Sequence, residues 1–119
     1  MPFRRVLPAY ARPFPPSEVE SRNTDAEVDP REVGLTREGV DEIWASATRL
    51  YTSRLHPALA LCVRRDGKVV LDRALGHVRG NAPYDPPGTP LVPVKHDSLF
   101  NLFSGSKAII AMLIHLLDQ

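Results

Sequence analysis

The sequence predicts an α+β chain, on three observations. Residues 36–53 carry an amphipathic helical stripe, two apolar runs meet at Asp66-Gly67, and residues 108–117 form a second, almost wholly apolar helix. At 119 residues the chain holds one domain at most. A chain of this size can bury roughly two thirds of the surface it exposes when unfolded. Its 43% hydrophobic and 24% charged residues are ordinary for a globular protein, so burial has enough apolar material to work with.

Six of the twelve prolines fall within residues 1–30, among charged and small polar side chains. Such a composition does not close a core, so residues 1–31 read as a Pro-rich leader, extended or disordered. Phe3, Val6, Leu7, Tyr10 and Phe14 are available to dock on a folded body formed by residues 32–119. Thr36 then reads as an N-cap, with Glu38 favourable in the first turn. Val40, Ile43, Trp44, Ala47, Leu50 and Tyr51 follow on one helical face, which makes Trp44 a core residue.

Beyond His56-Pro57 the period changes. Ala58 to Arg64 is an apolar run without alternation, the signature of an inner strand covered on both faces. Asp66-Gly67 is a hairpin turn signal, Lys68 to Ala74 is the return strand, and Gly76 closes the hairpin. Residues 81–94 hold five prolines and Gly88, an irregular loop.

Several chemistries are excluded. The net charge is +1 and the basic residues are scattered, so no nucleic-acid partner is expected. The single cysteine, Cys62, cannot form an internal disulfide; inside its apolar run it reads as a small core residue rather than a reactive thiol. His56, His77, His96 and His115 show no metal-ligand spacing. No membrane span is expected, since the longest apolar segment, Ala108 to Leu117, is short and interrupted by His115. No secretory pattern follows Arg4-Arg5, and a cytoplasmic location is expected.

One phrase carries visible chemistry. Phe103-Ser104-Gly105-Ser106-Lys107 runs straight into the apolar helix, placing Ser104 and Lys107 three apart, about one helical turn. An amine held against a hydroxyl in a dry site can take its proton, and a helix N-terminus offers N–H groups where negative charge develops. Equally, serine is a common N-cap and lysine a common helix residue. A chain of this length carries Ser-x-x-Lys by chance roughly one time in three, so the four letters alone decide nothing. His115, eleven residues on and roughly 16 Å along a helix, cannot be the serine's base. Leu102 and Ser106 stand where a nucleophile elbow needs glycines, and a phosphate loop lacks its upstream glycine.

The order of elements supplies the context. Amphipathic helix, apolar strand, Asp-Gly turn, return strand, Pro-rich loop, Phe-x-x-x-Ser-x-x-Lys and buried-type helix together resemble the start of the β-lactamase-related serine hydrolases. These are the class C-type β-lactamases, the D-alanyl-D-alanine peptidases and the family VIII carboxylesterases. The matching stretches are Ala58 to Gly76 (ALALCVRRDGKVVLDRALG) and Leu99 to Leu117 (LFNLFSGSKAIIAMLIHLL), and the likeness covers about residues 35–119.

The resemblance implies a β-lactamase/transpeptidase-like fold, here incomplete, with residues 32–119 the N-terminal portion of the hydrolase domain. It implies that Ser104 is the acylated nucleophile, Lys107 its proton acceptor and the Ser104 N–H half of an oxyanion hole. The substrate would be a small ester or amide, with no cofactor or metal. Ser106 stands where the family often carries threonine, which keeps the hydroxyl. The phrase Asn101-Leu102-Phe103-Ser104 leans toward the ester-cleaving branch. Two family motifs, Tyr-x-Asn/Ser and Lys/His/Trp-x-Gly, find no match here: Tyr10, Tyr51 and Tyr84 all precede the serine. The chain alone is therefore expected to be inactive. Its apolar helix 108–117, too large for the remaining elements to cover, is expected to invite self-association and to leave the isolated chain poorly soluble or molten.

Overall fold

The computed structural model describes residues 11–118. In chain order they form α1 (Pro16–Val19), β1 (Glu20–Arg22), a 3-10 turn (Pro30–Val33), α2 (Arg37–Thr52), β2 (Ala58–Arg65), β3 (Lys68–Arg79), β4 (Val92–Pro93), a second 3-10 turn (Phe103–Gly105) and α3 (Ser106–Leu117). The α+β class is borne out: a small antiparallel sheet in the order β1-β3-β2, with β4 on the far end of β3, packs one face against α2. Among the described residues no helix is long and apolar enough to cross a membrane.

The amphipathic stripe produces α2 as expected. The Thr36 hydroxyl accepts the Gly39 N–H at 3.1 Å, satisfying one of the amides a helix start leaves open. Val40, Trp44, Ala47 and Tyr51 are buried, while Ile43 and Leu50 flank the stripe and stay exposed. The hairpin also matches. Asp66 and Gly67 take φ of 51° and 76°, the two left-handed positions a two-residue turn of this twist needs. Leu59, Leu61 and Val63 of β2 and Leu71 and Leu75 of β3 meet α2, and burying the two β3 leucines contributes about 2 kcal/mol each.

Four expectations are corrected. The inner strand is β3, whose residues 70–71 and 73–77 are all buried; β2 lies at the edge of the described sheet. Small side chains at Ala60 and Cys62, both exposed, hide a true alternation with Leu59, Leu61 and Val63, so Cys62 is not a core residue. Gly76 does not close the hairpin, because β3 continues to Arg79 and pairs there with Val92 in the Pro-rich loop. Its φ of 95° answers a different need: a Cβ there would stand 2.2 Å from the Pro57 carbonyl oxygen and 2.8 Å from the Tyr51 ring.

The fourth correction concerns the leader. Over residues 11–31 it is neither free nor disordered. Glu20–Arg22 pair with Arg73–Leu75, and Val19 is buried. Phe14 packs against the core as expected; Phe3, Val6, Leu7 and Tyr10 lie outside the described residues. The reason is Arg73, which points from the central strand at the α2 face and is only 6% exposed. Its guanidinium grips Glu27 in a two-pronged pair at 2.8 and 2.9 Å and lies 5.6 Å from the Trp44 ring centre. Trp44 Nε1 donates to Glu20 at 3.2 Å, so core burial and polar tethering meet at one side chain.

Burial alone would raise the Glu27 carboxyl, but the Arg73 bonds and the Asp72 N–H outweigh it and hold the group below its ordinary range. A depressed carboxyl adds stability above its unfolded value, 4.5, and that contribution is lost as pH falls through the lower folded value. Urea midpoints measured from pH 7 to 3 are expected to fall most steeply below about 4.5. Glu27→Ala, which strands a buried guanidinium, is expected to cost about 3–5 kcal/mol at neutral pH and to flatten that slope.

The two glycines separate backbone strain from collision. Gly67 has φ of 76° and open space around its Cβ position, so Gly67→Ala is expected to cost only about 1–2 kcal/mol. Gly76→Ala adds the clash with Pro57 and Tyr51 and is expected to be clearly the worse of the two by chemical denaturation.

Candidate active site

Ser104 lies in the middle of the second 3-10 turn, one residue before the N-cap position, Gly105, of α3. The turn passes directly into the helix: Gly105 N–H donates to the Leu102 carbonyl at 2.9 Å, and Ser106 N–H reaches back to Phe103 and Ser104. Lys107 is the second residue of α3. The apolar lead-in to the serine, from Leu99, is irregular chain that enters this turn at Phe103. Its Asn101 side chain accepts the Phe103 N–H at 3.2 Å. Phe103 itself carries φ of 46°, a conformation that costs a bulky residue about 1–2 kcal/mol. The strain falls on the residue immediately before Ser104, which no sequence pattern announces.

Both candidate side chains are exposed, and neither makes a side-chain hydrogen bond or ion pair among the described residues. The chain thus places the hydroxyl and the amine one turn apart without joining them. An exposed ammonium keeps its hydration, and a lysine becomes a base near neutral pH only in dry surroundings. Those surroundings are not supplied by residues 11–118, because α3 has no buried residue. Ile109, Ile110, Met112, Leu113, Ile114, Leu116 and Leu117 are all exposed, from 46% at Ile109 to 87% at Leu117.

Beside the lead-in lies an open groove of about 290 Å³ lined by His56, Pro57, Ala58, His77, Val78, Leu99, Phe100 and Asn101. Ser104 and Lys107 do not line it. Of the other tyrosines, Tyr84 is 88% exposed in the Pro-rich loop. Tyr51 is committed to the core, where burial pushes its hydroxyl above the ordinary range and leaves it without a hydrogen-bond partner among the described residues. Among the described residues no group of three or more His, Cys, Asp and Glu side chains is placed to hold a metal ion. Three features escaped sequence reading: the Glu27–Arg73 pair, the Glu20 bond to Trp44 and the burial of His77. The first two are long-range pairings and the third is burial by distant elements, and none leaves a local periodicity, although an arginine inside an apolar strand is itself a signal that a carboxylate must come to meet it.

The described chain is thus an antiparallel hairpin backed by an amphipathic helix, then an irregular loop leading to a serine and a lysine at the start of an apolar helix. The family model described as Beta-lactamase matches residues 36–119, and the chain belongs to that family. No curated protein and no solved structure matches the chain.

Proposed function

We propose that this chain carries the acylating part of a serine hydrolase that cleaves carboxylic esters, with Ser104 as nucleophile and Lys107 as its proton acceptor. The observation that carries the reading is the Ser104-x-x-Lys107 phrase at the mouth of an apolar helix, in a chain of the Beta-lactamase family. Ser104 Oγ attacks the ester carbonyl while its proton passes to the Lys107 amine. The alkoxide leaves with that proton, and water then releases the acid from the acyl-serine. The Ser104 N–H is one donor to the developing oxyanion.

On this reading the groups that dry Lys107 and complete the oxyanion hole come from outside residues 11–118. The 119-residue chain alone then turns over little, in the cytoplasm or elsewhere. Small amides, including β-lactams and D-Ala-D-Ala peptides, are the rival substrates, and hydrolysis of a chromogenic cephalosporin by the parent separates them from esters. A fluorophosphonate probe on the native polypeptide is expected to leave one adduct, on Ser104. Ser104→Ala is expected to abolish it, and Lys107→Ala to slow it by roughly 10²–10⁴-fold. Labelling that survives Ser104→Ala would sink the assignment.

A second reading is favoured by one observation, that α3 has no buried residue. In it the apolar helix is an interaction surface, and a second copy of the chain is its occupant. Sedimentation velocity at micromolar concentration is then expected to show association. Ile110→Glu, Leu113→Glu and Leu117→Glu together, on one helical face, are expected to return the chain to monomer while leaving the α2–sheet core intact.

A further inference from the structure

Residues 11–14 run between the turn after α2 and the loop after β3, and Ala11 and Arg12 are bonded to one and the other. Ala11 N–H donates to the Arg54 carbonyl at 3.0 Å, and Arg54 Nε returns a bond to the Ala11 carbonyl at 2.9 Å. Arg12 N–H donates to Asn81 Oδ1 at 2.9 Å, Asn81 Nδ2 donates to the Arg12 carbonyl at 3.1 Å, and the Arg12 guanidinium reaches the Gly80 carbonyl at 2.7 Å. Ala11 and Asn81 are each 2% exposed, so these are buried anchors rather than surface contacts.

Beneath this strap lies His77. It is 5% exposed, its ring centre stands 4.7 Å from that of Phe14, and its Nδ1 is buried with no hydrogen-bond partner among the described residues. Arg12 on the strap acts on it, and His56 shares with it the open groove, whose other lining at Leu99, Phe100 and Asn101 carries no charge; Tyr51, against Gly76, and Arg54, bonded to Ala11, stand on the neighbouring elements. Among the described residues no bond gives the imidazole a carboxylate. Asp85, the acid of the neighbouring loop, spends its own on the Gly80 and Ala82 N–H groups at 2.7 and 2.8 Å. A cation placed here would be desolvated, unpaired and beside another cation.

His77's backbone is held by the sheet, with its N–H on the Pro57 carbonyl at 2.9 Å and its register opposite Pro93. On one side the residue borders the open groove that Leu99, Phe100 and Asn101 also line; on the other the strap, with Phe14 against the ring, is the cover that can leave. We propose that residues 11–14 form an acid-released strap, closed over His77 while the imidazole is neutral and let go when it takes a proton. The direction agrees with the surroundings: burial first, then Arg12, holds the imidazole below its ordinary value of 6.5. Above that value neither the closed nor the open form carries the proton. Between it and the lower closed-form value the open form binds the proton better, so closure weakens as pH falls and levels off below.

Hydrogen exchange on the full chain tests this, read by mass spectrometry at low micromolar concentration on peptides covering residues 11–14. After correction for the intrinsic rate, protection of the Ala11 and Arg12 amides is expected to fall up to tenfold per pH unit somewhere between pH 6.5 and 5. Protection within α2 is expected to stay constant over the same window, which also lies above the range where Glu27 titrates. Exchange at the imidazole C2–H of His77, read in the same sample, is expected to share the strap's midpoint. His77→Phe is expected to hold the strap closed throughout. Constant protection in the native chain, a midpoint that differs from that of His77, loss of α2 protection in parallel, or the same fall in a folded His77→Phe chain would each overturn the proposal. The native-chain readings decide it without any variant.

Discussion

An arginine in the middle of the central strand is the constraint on which the rest of this fold hangs. Arg73 sits on the face of β3 that also presents Leu71 and Leu75, both fully buried. Its guanidinium cannot lose its proton, and leaving it unpaired beside α2 would cost more than either leucine contributes. Glu27 must therefore come in from the N-terminal segment. Once it does, the neighbouring chain follows: β1 pairs with Arg73–Leu75, Val28 N–H bonds to the Val69 carbonyl at 2.9 Å, and Glu20 reaches Trp44. The hydrophobic layer between α2 and the sheet supplies the driving force. The ion pair decides which segment closes it.

That arrangement explains what was legible in the sequence and what was not. The helix over 37–52 and the turn at Asp66-Gly67 were readable because both are local: a repeat of apolar residues, a cap, and two residues tolerant of left-handed backbone. The edge position of β2 was not, because Ala60 and Cys62 are small enough to look apolar whether or not anything covers them. Prolines at 13, 15 and 16 suggested disorder, yet proline suits both the entry of a short helix and an extended strap whose amides bond elsewhere. Composition reports what a segment cannot do alone. It is silent on what a distant Arg73 or Asn81 requires of it.

The same split runs through the candidate site. Ser104 and Lys107 were legible as a pair because their spacing is local, and the backbone does place them one turn apart. Whether they act as a pair depends on surroundings that spacing does not encode. The well-packed part of the described chain ends at Val94, which is 1% exposed, and only turns and α3 lie beyond it. The residues with the most chemical interest are thus the least buried, and the core neither dries the lysine nor fixes the serine. Such a division suits a nucleophile carried on an element that completes its packing against other surfaces.

Strain and exposure at this site point the same way. Phe103 holds a left-handed conformation with its own side chain 79% exposed, so no packing among the described residues repays the cost. A bulky residue persists in that conformation only when its surroundings over-determine it. The bond from its N–H to Asn101 and the turn that follows define the kink locally, and the apolar face of α3 is what remains to anchor it. Covering α3 would at one stroke repay the strain, hold Ser104 in place and exclude water from Lys107. Packing, nucleophile geometry and proton affinity would then be consequences of a single burial event. That is why the catalytic and the interaction readings of this helix make the same physical demand: an apolar surface that meets Ile109 to Leu117.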